Sequence, residues 1–78
     1  MSNKKHKRRF GFTAIELGYI TLDQLIEAMI IQVREELLSD KYRLIGEILI
    51  ELGFMTQEQT DEVVQAQVKA LIGSTQNE

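Results

Sequence analysis

Two glutamines, Gln32 and Gln67, stand where the neighbouring residues call for apolar side chains. At helical pitch Gln32 falls on the stripe of Leu25 and Met29, and Gln67 on that of Thr60 and Val64. A primary amide there has two uses. It can satisfy a backbone group at a turn, as buried polar groups generally do, or it can face a ligand as donor and acceptor together, which suits the edge of a base. Arg8 and Arg9, followed by Gly11, form a second candidate. Arginine at a helix start opposes the helix dipole unless an anion is near, and glycine in the first turn exposes backbone amides to a ligand. The same residues also read as a solvated basic tail ending where the fold begins. No phosphate-loop or dinucleotide-fingerprint glycine pattern accompanies them.

Catalytic constellations are missing from the pattern. The chain has no cysteine, and its single histidine, His6, lies inside a basic run. Thiolate zinc sites, disulfides and cysteine nucleophiles are therefore excluded. Glu35-Glu36 and Asp61-Glu62 are adjacent pairs that point to different helix faces, while Glu47 and Glu51 share a face without a nitrogen or sulfur ligand to complete a metal set. Ser39 and Ser74 have no partner base. The expectation is a non-enzyme with no cofactor and no metal.

Charge divides the chain sharply. Lys4, Lys5, Lys7, Arg8 and Arg9 give residues 1–9 a charge of +5, and the remaining four bases and twelve acids give residues 10–78 a charge of −8, which together make the formal −3. A basic tail precedes an acidic body. The composition, 44% hydrophobic and 27% charged, suits a globular domain, and 78 residues suit one small one. Such a domain buries only about 60% of its unfolded surface, so a ligand, partner or second copy would help it. No apolar run is long enough to span a bilayer and no signal peptide is evident, so a cytoplasmic location with no transmembrane segment is expected.

The positioning elements follow from caps and stops. Thr21-Leu22-Asp23-Gln24 and Thr56-Gln57-Glu58-Gln59 read as capping boxes. They predict long helices over about Leu22 to Leu38 and Gln57 to Ile72, the second ended by Gly73. Each is preceded by a short apolar helix, Phe10 to Leu17 and Tyr42 to Leu52, closed by Gly18 and Gly53 with Tyr19 and Phe54 folding back on the last turn. The segment around Leu44, with Ile45, Ile48, Leu49, Ile50 and Leu52, is apolar on more than one face. In so short a chain, part of that surface is expected to meet a ligand or a partner.

An internal repeat organises these elements. A shift of 35 residues superposes Gly11 on Gly46, Ile15 to Gly18 on Ile50 to Gly53, Thr21 on Thr56, Gln24 on Gln59, Glu27 on Glu62 and Gln32 on Gln67, nine identities over residues 9–32 and 44–67. The predicted fold is all-α, with about four helices in two short-helix, turn, long-helix copies packed as pseudo-symmetric halves. The expected divisions are a flexible basic tail over 1–8, one helical domain over 9–73 (copies 9–32 and 44–67, linker 33–43) and a frayed tail over 74–78.

The first copy, Arg9-Phe10-Gly11, Ala14-Ile15, Gly18-Tyr19-Ile20, Leu25, Met29 and Gln32, resembles the tandem motif of the MshEN family, the N-terminal domain of type II secretion and type IV pilus assembly ATPases. The second copy is Leu44-Ile45-Gly46, Leu49-Ile50, Gly53-Phe54-Met55, Thr60, Val64 and Gln67. It departs from the motif in holding Leu44 at the arginine position, with Arg43 one residue early, and Thr60 at a leucine position. The resemblance implies a helical domain that binds cyclic di-GMP, with aliphatic side chains against the guanines. It nominates Arg9, Phe10, Gly11, Leu25 and Gln32 from the first copy and Ile45, Gly46 and Gln67 from the second.

Two function classes follow. One is a non-catalytic regulatory domain that binds cyclic di-GMP and signals to a protein partner such as a secretion or pilus motor, the ATPase itself being absent from this chain. The alternative is a protein-interaction or dimerisation module of the same fold that binds no nucleotide and uses the apolar face of the Leu44 helix, with a homodimer as one form. The five tail charges are enough for weak attraction to nucleic acid or anionic membrane, without any pattern for specific nucleic-acid readout. Deleting residues 1–7 should abolish polyanion binding in a low-salt gel-shift assay while leaving dinucleotide binding largely intact; loss of both would tie the tail to the site.

Overall fold

The computed structural model describes residues 9–76, and the side chains of residues 9–72. Four helices follow in order, α1 (Phe10–Glu16), α2 (Leu22–Ser39), α3 (Ile45–Glu51) and α4 (Gln57–Gln76), with no strand among the described residues. The chain is all-α, alternating short and long helices as the repeat predicts.

Both long helices open on the expected boxes, and the two match almost atom for atom. Thr21 Oγ1 accepts from the Gln24 amide at 3.1 Å while Gln24 Oε1 accepts from the Thr21 amide at 3.0 Å. At Thr56 and Gln59 the two bonds are again 3.1 and 3.0 Å. The turns before them repeat as well. Gly18 and Gly53 take φ of 83° and 82°, a conformation that costs a residue with a Cβ about 1–2 kcal/mol. Behind them the Tyr19 amide donates to the Ala14 carbonyl and the Phe54 amide to the Leu49 carbonyl, each at 3.0 Å.

Packing is crossed between the copies. The principal helix contacts are α1 with α4, α2 with α3, and α1 with α3, so each short helix lies chiefly on the long helix of the other copy. The core is Ala14, Ile20, Leu25, Ala28, Ile48, Leu49, Met55 and Val63. It keeps the 35-residue period, pairing Ala14 with Leu49, Ile20 with Met55 and Ala28 with Val63. Neither copy holds enough of these residues to bury its own apolar face.

Three expectations need correction. First, α4 does not stop at Gly73 but continues to Gln76. Glycine closes a helix when an apolar residue after it can fold back, as Tyr19 and Phe54 do, and Gly73 is followed by Ser-Thr-Gln-Asn-Glu. Residues 77 and 78 of the expected frayed tail, and residues 1–8 of the basic tail, lie outside the described residues. Second, α3 begins at Ile45 rather than Tyr42. The preceding chain is held extended by α2, as described below. Third, the apolar face around Leu44 is largely enclosed: Ile48 and Leu49 are fully buried and only Leu44 stands out, 68% exposed. The crossed arrangement surrounds α3 with α1 and α2, which periodicity within one helix cannot reveal.

Glycine also sets the close approach of the short helices. A Cβ on Gly11 would sit 2.5 Å from Leu25 Cδ1, and one on Gly46 would sit 3.2 Å from Phe10 Cζ and 3.4 Å from Thr60 Cγ2. Gly11→Ala is expected to cost about 1–2 kcal/mol after the helix-propensity gain, because Leu25 must leave its place in the core. Gly46→Ala, with looser neighbours, should fall within about 0.5 kcal/mol of wild type in urea titrations. Equal effects at the two sites would contradict the asymmetry.

Candidate functional site

Where α1 and α3 begin side by side against the middle of α2, the surface opens into a pocket of about 260 Å³. Six of the eight nominated residues line it: Arg9, Phe10, Gly11, Leu25, Gln32 and Ile45. The other two do not. Gly46 is buried beneath the Phe10 ring and Thr60, and Gln67 lies on α4, away from the lining and already engaged with a partner. Phe12, Met29 and Leu44 complete the wall. Phe12 was not anticipated, although the repeat held the clue, since it places this exposed aromatic opposite Glu47 of the other copy.

That this pocket opens over the first copy's motif follows from a difference between the copies. Phe10 corresponds to Ile45, and Leu25 to Thr60. Over Gly46 the small Thr60 leaves room for the Phe10 ring, which fills the space. Over Gly11 the bulky Leu25 takes the glycine's side, and Ile45 is too short to fill what remains above it. The departure at Thr60 is therefore a packing exchange with Phe10. It leaves the first copy's motif open and closes the second. Gly11 itself serves Leu25, so its missing Cβ makes room for the core rather than for a ligand.

Polar groups at the pocket are few. Arg9 is the sole charged lining residue and is exposed; its carbonyl accepts from the Thr13 amide at 3.1 Å, while its guanidinium has no hydrogen-bond or ion-pair partner among the described residues. It precedes α1 with φ −70° and ψ 154°, and Leu44 precedes α3 with nearly the same angles, −74° and 151°. The two helix starts are thus matched in backbone and opposite in chemistry, a guanidinium against an isobutyl group. Gln32 Nε2 donates to the Arg43 carbonyl at 2.9 Å. This is the backbone-satisfying role, made to the chain entering α3 instead of to a glycine turn. The Gln32 amide oxygen accepts no hydrogen bond among the described residues.

Arg43 is fully employed elsewhere. Its Nε and Nη2 donate to the two carboxylate oxygens of Glu35, at 3.0 and 2.8 Å, and its Nη1 pairs with Glu51. The fork ties the end of α2 to α3 across the segment that follows Asp40, whose left-handed conformation (φ 57°) ends α2. With its carbonyl held by Gln32 and its side chain by two carboxylates, Arg43 stays out of the helix. This fixes Leu44 and Ile45 as a pocket wall. The Glu35 carboxyl is held below its ordinary pKa, first by the hydrogen bonds from Arg43; desolvation is next and opposes this, and the charges of Arg43 and then Lys41 add to the lowering. Outside the pocket lining, the Tyr19 hydroxyl donates to Glu62, which raises its pKa.

The arrangement is suited to holding a ligand with an apolar, flat body and an anionic or acceptor-rich edge. Among the described residues no three His, Cys, Asp or Glu side chains gather into a metal-binding group, and no helix is long and apolar enough to cross a membrane. No family model, curated protein or solved structure matches the chain.

A carboxylate whose pKa is lowered on folding stabilises the folded state above its unfolded pKa and loses that contribution as pH falls through the lowered value. Glu35→Gln should therefore lower the thermal midpoint at neutral pH. The gap from wild type should close as pH drops below the ordinary carboxylate range; a gap that persists in acid would mean the clamp does not depend on ionised Glu35.

Proposed function

We propose that this chain is a non-catalytic regulatory domain that binds cyclic di-GMP and passes its occupancy to a protein partner such as a secretion or pilus motor. The reading rests on the tandem MshEN-like motif together with one observation: six of the eight motif residues it nominates line a single open pocket. Phe10, Leu25, Met29 and Ile45 offer an apolar wall for a guanine face. Arg9 supplies a planar fork for guanine O6 and N7 or for a phosphate. The Gln32 carbonyl oxygen is free to accept from the base edge.

The second motif contributes less. With Leu44 in place of an arginine and Phe10 filling the Gly46 side, one half of the ligand is gripped and the other rests on the exposed rim. A volume near 260 Å³ falls just below the roughly 300–1,000 Å³ usual for ligand pockets, which suits one base rather than a whole dinucleotide. The affinity should accordingly be modest. A cytoplasmic setting follows from the ligand, which is a cytoplasmic messenger.

Isothermal titration tests the reading. Cyclic di-GMP should release heat at micromolar to high-micromolar protein. Arg9→Ala should weaken binding by about tenfold or more, the worth of a lost bidentate contact. Arg43→Ala should lower stability with a smaller effect on affinity. Leu44→Arg, at a position already exposed, should tighten binding by supplying the second copy's missing cation. Absence of heat from both wild type and Leu44→Arg would refute the nucleotide reading.

A further inference from the structure

An uncovered apolar stripe lies outside the pocket, on α2. Ile26, Ile30, Val33 and Leu37 are 44, 51, 52 and 77% exposed. Their spacing of four, three and four residues is that of alternating d and a positions of a heptad, giving a straight seam. At 100° per residue the seam is centred roughly 140° around the helix from the stripe of Leu25, Ala28 and Gln32 that meets the rest of the domain. No described residue covers it.

The charges beside the seam indicate what does. Glu27 and Arg34 lie one heptad apart on the same flank, both exposed, and neither side chain has a hydrogen bond or ion pair among the described residues. If a second α2 is laid antiparallel, Ile30 meets the partner's Val33 and Ile26 meets the partner's Leu37. In that register Glu27 falls beside the partner's Arg34, and two-fold symmetry forms the pair twice. A parallel register would instead bring Glu27 and Arg34 against apolar Leu22 and Met29 of the other helix. The sequence of one face is thus complementary to itself in one orientation.

We infer that the chain forms a two-fold dimer through antiparallel pairing of α2, with Ile26, Ile30, Val33 and Leu37 as its seam and reciprocal Glu27–Arg34 ion pairs at its edge. The seam is short, about two heptads, which sets the interface at the small end of specific ones, where dissociation constants of about 1–100 µM are expected. Met29 lies both on the seam's other flank and in the pocket wall, so the two surfaces share an edge. The dimer rests on α2 alone and does not depend on the nucleotide reading.

Sedimentation equilibrium on the full chain without nucleotide, from about 5 to 500 µM to bracket that range, provides the test. Wild type should pass from monomer to dimer. Ile30→Glu, at an exposed position, should leave the far-UV circular dichroism and the melting curve of the monomer unchanged and abolish the dimer. Arg34→Glu should weaken association about tenfold or more by turning both edge ion pairs into acid–acid pairs, and the double exchange Glu27→Arg with Arg34→Glu should restore it. A folded wild type that stays monomeric at the highest concentration overturns the inference and leaves the face for a different protein. So does a dimer that Ile30→Glu leaves intact, or one that the double exchange fails to rescue.

Discussion

The crossing of each short helix onto the other copy's long helix is the constraint on which everything else depends. A single copy offers one short helix of seven residues and one long amphipathic helix, too little surface to bury either. Crossing joins the two sets of apolar residues into one core and brings the starts of α1 and α3 together. The pocket exists because those two starts meet. Close approach is permitted by Gly11 and Gly46, whose missing Cβ atoms are replaced by Leu25 on one side and by Phe10 and Thr60 on the other.

Pseudo-symmetry in the backbone with asymmetry in the side chains is what opens this pocket over one copy's motif. The caps, the left-handed glycines and the turn hydrogen bonds agree between copies to within about 0.1 Å and a degree. Phe10 against Ile45, Leu25 against Thr60 and Arg9 against Leu44 then break the symmetry at one place. Phe10 and Thr60 fill the space over Gly46, Leu25 fills that over Gly11, and the pocket opens beyond Leu25 with the exposed Arg9 in its lining. The Arg43 fork matters to the site without entering it, since it holds the wall formed by Leu44 and Ile45.

Local signals were legible in the residues because their causes are local. Thr21 with Gln24 and Thr56 with Gln59 cap helices through bonds three residues apart, and Gly18 and Gly53 stop helices beside the aromatic residues that follow them. The period of 35 then gave the fold class. What escaped was set by contacts between distant residues. Tyr42 and Arg43 look helical by pattern, yet Gln32 and Glu35 hold Arg43 out of α3. Ile48 and Leu49 look like an excess of apolar surface until α1 and α2 enclose α3, and exposed apolar residues lie instead along the long helices α2 and α4. Of the site, Arg9, Phe10, Gly11, Leu25, Gln32 and Ile45 were nominated and do meet; Gly46 and Gln67 were nominated by equivalence, which side-chain size at Phe10 and Thr60 overrides.

Crossed packing makes a direct demand on the two halves of the chain. Residues 9–39 and 40–76 prepared as separate peptides should each show little helix by circular dichroism, because neither can bury its face alone. Mixed in equal amounts, they should gain helix together and melt in one cooperative transition whose midpoint rises with concentration. A half that is helical and melts cooperatively on its own, unchanged by the other, would contradict the account.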